Sequence, residues 1–190
     1  GVMLAAAVRD YVVNYGVAPG ARTVVVTNND DAYRTALALD AAGVTVPCIV
    51  DARPMADGPL VQEARARGLR VLTGTGIGNV KGLRGVVAVQ LCAQDGGGAV
   101  TEDVVCDAVA MSGGWSPVVH LWSHCGGKLV WDAEGAFFRP DHARPPTNQT
   151  GTGFVSCAGA ADGALWAGDV LENASTSTRK VLELMGKYSD

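Results

Sequence analysis

"RTVVVTNNDDAYRTALALDAAG", residues 22–43, decides how this chain is read. "RTVVVT" (22–27) is a short, continuous apolar run, the mark of a strand buried on both faces of a parallel sheet. Asp31–Gly43 is an amphipathic helix, with Asp30 or Asp31 as candidate N-cap and Gly43 as its C′ stop. Between them lies "TNNDD" (27–31). In a dinucleotide-binding βαβ unit this turn carries glycines, which let backbone N–H groups reach a diphosphate at the positive end of the helix. The strand and the helix are in place, but the glycines are not. Asn28 and Asn29 tolerate the left-handed backbone of a tight turn, whereas Asp30 and Asp31 would repel a diphosphate. The turn reads as one that keeps its shape, caps its helix and binds no phosphate.

The pattern continues on either side. "MLAAAVRDYVVNYG" spaces Leu4, Val8, Tyr11, Val12 and Tyr15 as a helix does, and Gly16 ends it. "VPCIVD" (46–51) is a second buried strand, "GPLVQEARARG" (58–68) a second helix after it, and "RVLTG" (70–74) a third strand. Strand, helix, strand, helix, strand is a βαβαβ mononucleotide-binding half. Next, "KGLRGVVAVQLCAQ", "DGGG" (95–98) and "AVTEDVVC" read as antiparallel strands about a glycine-rich hairpin. "CDAVAMSGGWSP" (106–117) is a further buried strand ending at Gly113 and Gly114. Beyond it come a short helix or turn ("VVHLWSHCGG"), a small hairpin ("KLVWDAEGAFFRP") and a Pro/Gly/Thr loop ("DHARPPTNQTGTG"). "FVSCAGAADG" reads as a strand entering a small-residue turn, and one or two helices follow.

Composition narrows the function classes. The net charge is −4 and there is no Lys/Arg block, so nucleic acid is not an expected partner. No apolar run is long enough for a bilayer, and "GVMLAAAV" lacks the basic flank of a signal peptide. The five cysteines, Cys48, Cys92, Cys106, Cys125 and Cys157, form no CxxC pair, which removes support for zinc or dithiol chemistry. Cys48, Cys106 and Cys157 are expected as buried thiols, and a reducing cytoplasm fits them. The opening on Gly1 and the helix-like ends lead us to expect a segment of a longer chain.

Three stretches sit where cofactor chemistry lives. "TNNDD" is the first. Asp51 is the second, about 20 residues after that turn, where an acid binds a ribose diol; Arg53 is an alternative partner for it. The third is "SCAGAADGALWAGD" (156–169), where Gly159, Ala160, Ala161 and Gly163 expose backbone to a flat ligand. Close helix–strand packing would need the same small residues, and both readings stand. His120, His124 and His142 form no nucleophile–base pattern. Glu102/Asp103 and Asp132/Glu134 read as solvated turns. "GTGIGNVKG" (74–82) is no phosphate loop, since no helix follows and Lys81 precedes no Ser or Thr.

The stretches "GVMLAAAVRDYVVNYGVAPG", "VVVTNNDDAYRTALAL", "VDARP", "SGGWSPVVHLWSHCGGKLVWD" and "CAGAADG" together resemble the central region of the α subunit of heterotetrameric sarcosine oxidase. Opine oxidase and hydrogen cyanide synthase α-type subunits resemble the chain more loosely. The resemblance implies an α/β fold: an inner Rossmann-like βαβαβ three-layer domain with a β-meander (20–110). This domain would be nested in part of an outer FAD/NAD(P)-binding-type domain (1–19 and 111–190). It implies NAD in the outer fold, with Ala160 and Leu165 touching it, Gly159, Ala161 and Gly163 shaping the turn, and Gly113 and Gly114 beside the cofactor. Ala167 stands where a hydroxyl residue could bond the cofactor. The whole enzyme of that family carries FAD on its β subunit and FMN at the α/β interface. With its β, γ and δ subunits it oxidises sarcosine to glycine, giving H2O2 and formaldehyde or methylene-tetrahydrofolate. This stretch by itself is expected to be inactive and able to self-associate. An NAD(P)H-dependent flavin or disulfide reductase domain is the rival enzyme reading, against which stand the missing fingerprint and the missing CxxC; a non-catalytic interaction module is the third.

Overall fold

The computed structural model describes residues 1–94, 98–133, 135–165 and 167–186. Most of the expected "DGGG" turn, Glu134, Trp166 and the end of the terminal helix-like stretch lie outside the described residues. The chain divides into two units, Gly1–Gly114 and Trp115–Asp190.

The first unit runs β1 (Val2–Leu4), α1 (Ala5–Tyr15), β2 (Thr23–Thr27), α2 (Asp31–Ala41), β3 (Ile49–Asp51), α3 (Pro59–Ala66), β4 (Val71–Thr73), β5 (Thr75–Lys81), β6 (Ala88–Ala93), β7 (Val100–Val105) and β8 (Ala108–Ser112). Five strands form a sheet in the order β1-β8-β2-β3-β4, every neighbouring pair parallel. β5, β6 and β7 make a separate antiparallel meander.

The β-branched runs bury both sheet faces by alternation. Val25, Ile49 and Ala110 share a register row and pack with Val8, Tyr33, Leu39 and Val61 of the helices. One residue along, Val24, Val50 and Val109 pack with Val89, Leu91 and Val104 of the meander. The result is three layers: helices, parallel sheet, meander. Each fully buried valine contributes roughly 1.5–3 kcal/mol, and a one-residue slip would exchange the two sets of partners.

Helix ends follow local chemistry. Gly16, at φ 64°, closes α1 by donating to the Val12 carbonyl at 3.1 Å, while the Val17 N–H donates to the Tyr11 carbonyl at 3.0 Å. Pro59 begins α3, where its missing N–H costs nothing.

The second unit contains α4 (His120–His124), the hairpin of β9 (Leu129–Asp132) and β10 (Phe137–Pro140), a 3-10 turn (Gly159–Asp162) and α5 (Ala167–Leu184). Trp122 is buried and its indole N–H donates to the Lys128 carbonyl at 2.8 Å. Trp131 and Phe138 face each other across the hairpin with ring centroids 5.0 Å apart.

Several elements differ from expectation. Residues 2–4 are a strand rather than the start of a helix, and β1 pairs with β8. Residues 1–19, assigned from sequence to the outer segments, thus contribute a strand and a helix to the first unit. "GTGIGNVK" is the first meander strand, its irregular register between Ile77 and Asn79 absorbing the glycines. The strand expected at the start of "FVSCAGAADG" does not form; Gly153 makes one isolated bridge, to Thr147. Glu102 and Asp103 lie within β7, not in a turn, and pair with Arg70 and Lys81.

Candidate cofactor-binding turns

The β2–α2 turn is held by its amides. Thr27 Oγ1 accepts from the Asn29 N–H at 3.0 Å and donates to the Asn29 carbonyl at 2.9 Å. Asn29 Oδ1 accepts from the Asp31 N–H at 3.1 Å. That bond caps the helix, a role the sequence assigned to Asp30 or Asp31. Asp30 occupies the N-cap position but has helical φ −78°, ψ −22° and makes no side-chain cap bond; a capping side chain needs extended backbone. Asn29 Nδ2 donates to Ser112 Oγ at 3.0 Å, and Asn28 Nδ2 to the Gly113 carbonyl at 3.1 Å. The strand order reverses between β2 and β8, so this is the topological switch point at which open α/β sheets bind ligands. Here the two amides bridge it.

The acids of the turn are spoken for as well. Asp51, at the end of β3, is 0% exposed. Its Oδ1 accepts from Arg53 N–H at 3.0 Å and Arg53 Nε at 3.1 Å; its Oδ2 accepts from Tyr33 Oη at 2.8 Å and Arg53 Nη2 at 2.7 Å. A carboxylate offers about four acceptor sites, and four donors fill them, so none is left for a ribose hydroxyl. Arg53 Nη2 also lies 2.8 Å from Asp30 Oδ1. Asp31 pairs with Arg9 Nη1 at 3.1 Å and, more distantly, Arg34 Nε at 3.6 Å. Gly58 leaves room for the Asp30 side chain, because a Cβ there would overlap the Asp30 carboxylate. Burial first, then the bond to Asp51, holds the Tyr33 phenol well above its ordinary range. The hydrogen bond to Asp51 drives the Arg53 guanidinium further toward its charged form.

The small-residue turn in the second unit is built differently. Gly159 (φ 62°) and Gly163 (φ 99°) bracket the 3-10 turn in backbone conformations that favour glycine. Gly159 is buried, Ala160 exposed, and Ala161, Gly163 and Leu165 half-buried. The turn is tied to α5 by Asn173: its Oδ1 accepts from the Gly159 N–H at 2.7 Å, and its Nδ2 donates to Asp162 Oδ2 at 2.8 Å. His142 Nε2 lies 2.7 Å from Asp162 Oδ1. Sequence reasoning missed Asn173 and His142 as partners of the turn. The side chain of Ala167 lies outside the described residues.

Gly113 and Gly114 end the first unit beside Asn28; Gly114 takes φ 89°, open to glycine alone at little cost. Among the described residues no group of three or more His, Cys, Asp or Glu could hold a metal, and no helix is long and apolar enough to cross a membrane. Cys48 and Cys106 are buried thiols, whereas Cys157 is half-buried.

The fold is shared with solved flavoprotein and pyridine-nucleotide enzymes. L-proline dehydrogenase from P. horikoshii matches all of this chain with 31% of its own (TM-score 0.59, 16% identity). T. acidophilum thioredoxin reductase matches 95% of this chain with 57% of its own (TM-score 0.58, 16% identity). An FAD-dependent pyridine nucleotide-disulphide oxidoreductase from Desulfovibrio vulgaris matches 71% with 35% of its own (TM-score 0.51, 19% identity). The class is therefore that of the FAD/NAD(P)-binding oxidoreductase folds. No protein-family model matches the chain. In sequence, the chain is a relative of sarcosine oxidase subunit alpha. It is 40% identical to that subunit of Rhizobium meliloti (strain 1021) over 164 residues, 84% of this chain and 16% of the relative. It is 40% identical to that of Corynebacterium sp. (strain P-1) over 147 residues, 75% of this chain and 15% of the relative. The chain thus spans about a sixth of the length of the curated relatives it matches.

Proposed function

We propose that this chain is a cofactor-scaffolding part of a sarcosine-oxidase-type α subunit, and that its inner fold binds no dinucleotide. The observation that carries this reading is the saturation of Asp51 by Arg53 and Tyr33. The position that would read a ribose is instead the centre of an internal clasp, and the switch point is bridged by Asn28 and Asn29. The Gly159–Gly163 turn, with Ala160, Ala161 and Leu165, is then the segment left to meet NAD in the outer fold. FAD and FMN belong to the assembled enzyme, whose β, γ and δ subunits complete the oxidative demethylation of sarcosine. The likeness to sarcosine oxidase subunit alpha supports this assignment.

Calorimetric titration of the chain with NAD+ and NADH tests it. No submillimolar binding is expected. Binding that Asp51→Ala abolishes would instead favour an active inner reductase fold. Sarcosine-dependent peroxide production by the chain alone would overturn the scaffolding reading.

A further inference from the structure

The Gly159–Asp162 turn holds no regular ladder with a strand, yet it must keep two left-handed glycines in place. The groups that fix it converge on one side chain. Asp162 is 9% exposed and accepts from Asn173 Nδ2 at 2.8 Å while His142 Nε2 lies at 2.7 Å. Asn173 in turn holds the Gly159 N–H at 2.7 Å. His142 comes from the corner after β10, and its ring meets the buried Trp122 edge-on, centroids 5.8 Å apart. Trp122 is itself anchored by its bond to the Lys128 carbonyl, and Gly127 makes room for the indole, since a Cβ there would strike the ring.

We infer that His142 is a positioning residue for the small-residue turn: it braces Asp162 against Trp122 and, through Asn173, fixes the backbone at Gly159. The inference rests on the proposed role of that turn but is tested without any cofactor. The approach of His142 Nε2 to Asp162 Oδ1 is at ion-pair distance, and a polar contact this close is sensitive to geometry. The neighbouring charges are otherwise engaged. Asp141 accepts from Arg144, which holds its carboxyl below the ordinary range, and Arg139 pairs with Asp132. Among the acidic side chains around His142, Asp162 is the one its Nε2 meets.

The test is amide hydrogen exchange of the 190-residue chain, read at Gly159, with the His142 ring followed by NMR. His142→Ala should lower the protection of the Gly159 amide about tenfold, the scale of one lost polar contact. His142→Gln, which keeps a donor, should restore most of it. Unchanged protection in His142→Ala overturns the inference, as does equal loss in the Ala and Gln variants, which would mean packing alone. If His142→Ala unfolds the second unit, His142→Gln decides: near-native protection supports the brace and tenfold loss refutes it. A failure of NAD binding in a longer protein would count against the proposed function while leaving this result standing.

Discussion

Removing the Arg53 side chain should destabilise the first unit through the charge it strands. Arg53→Ala takes two donors from Asp51, Nε at 3.1 Å and Nη2 at 2.7 Å, and leaves the residue-53 N–H and the Tyr33 hydroxyl. Asp51 is fully buried in the intact chain. Breaking a buried pair this way costs about 3–5 kcal/mol; the two surviving donors place the expected loss near the lower end of that range. For a chain of this size that is a fall in Tm of roughly 6–12 °C. All four tryptophans lie at 115–166, after the first unit, so their fluorescence is the wrong probe. Far-UV circular dichroism in urea is the appropriate one. Asp51→Asn introduced into Arg53→Ala removes the stranded charge and should recover part of the loss. An Arg53→Ala variant within about 0.5 kcal/mol of wild type, the range of an ordinary surface change, would refute the clasp as a stabilising element. So would a double variant no more stable than the single one.

Two further outcomes follow from the same unit. Asn29→Ala loses the α2 cap and the bond to Ser112, and should cost about 1–2 kcal/mol in urea denaturation. Cys48, fully buried, has its thiol pushed up from 9.0 to about 11, chiefly by burial. Because the folded state prefers the protonated thiol, that stabilisation is complete below the unfolded value and is lost as pH rises toward 11. Denaturant stability should therefore fall by up to about 1.4 kcal/mol per pH unit above pH 9. Cys48→Ala should make the curve shallower between pH 9 and 10, the remaining slope there coming from Cys106, whose thiol burial also raises; above that, Tyr33, whose phenol is likewise raised, adds a slope that Tyr33→Phe removes. An unchanged slope in Cys48→Ala between pH 9 and 10 would refute the assignment.

What the sequence disclosed follows from the range of each interaction. The βαβαβ order was legible because continuous apolar strands and amphipathic helices are local patterns, and Val24 and Val25 already announce two buried faces. β1 was not, because three residues carry no period; only pairing with β8 makes them a strand. β5 was obscured by its glycines, which leave the stretch without a strand pattern until β6 is beside it. The cap fell to Asn29 instead of its neighbours through the backbone angle at Asp30, a property composition does not hold. Asn173 and Gly159 are 14 positions apart and His142 and Asp162 are 20 apart, distances at which sequence carries no contact signal.

The inner turn shows why its glycines and its acids cannot be considered separately. Asp30 and Asp31 would repel a diphosphate, and the same charges engage Arg53, Arg9 and Arg34. Arg53 in turn consumes the acceptors of Asp51, the residue placed to read a ribose. Replacing Asn28–Asp31 with a glycine-rich fingerprint would therefore reopen only half of a dinucleotide site, because Asp51 would still be filled by Arg53 and Tyr33. Conversely, freeing Asp51 alone would leave the switch point bridged by Asn28 and Asn29. The two locks sit on either side of β2, toward β8 and toward β3, and close the site independently.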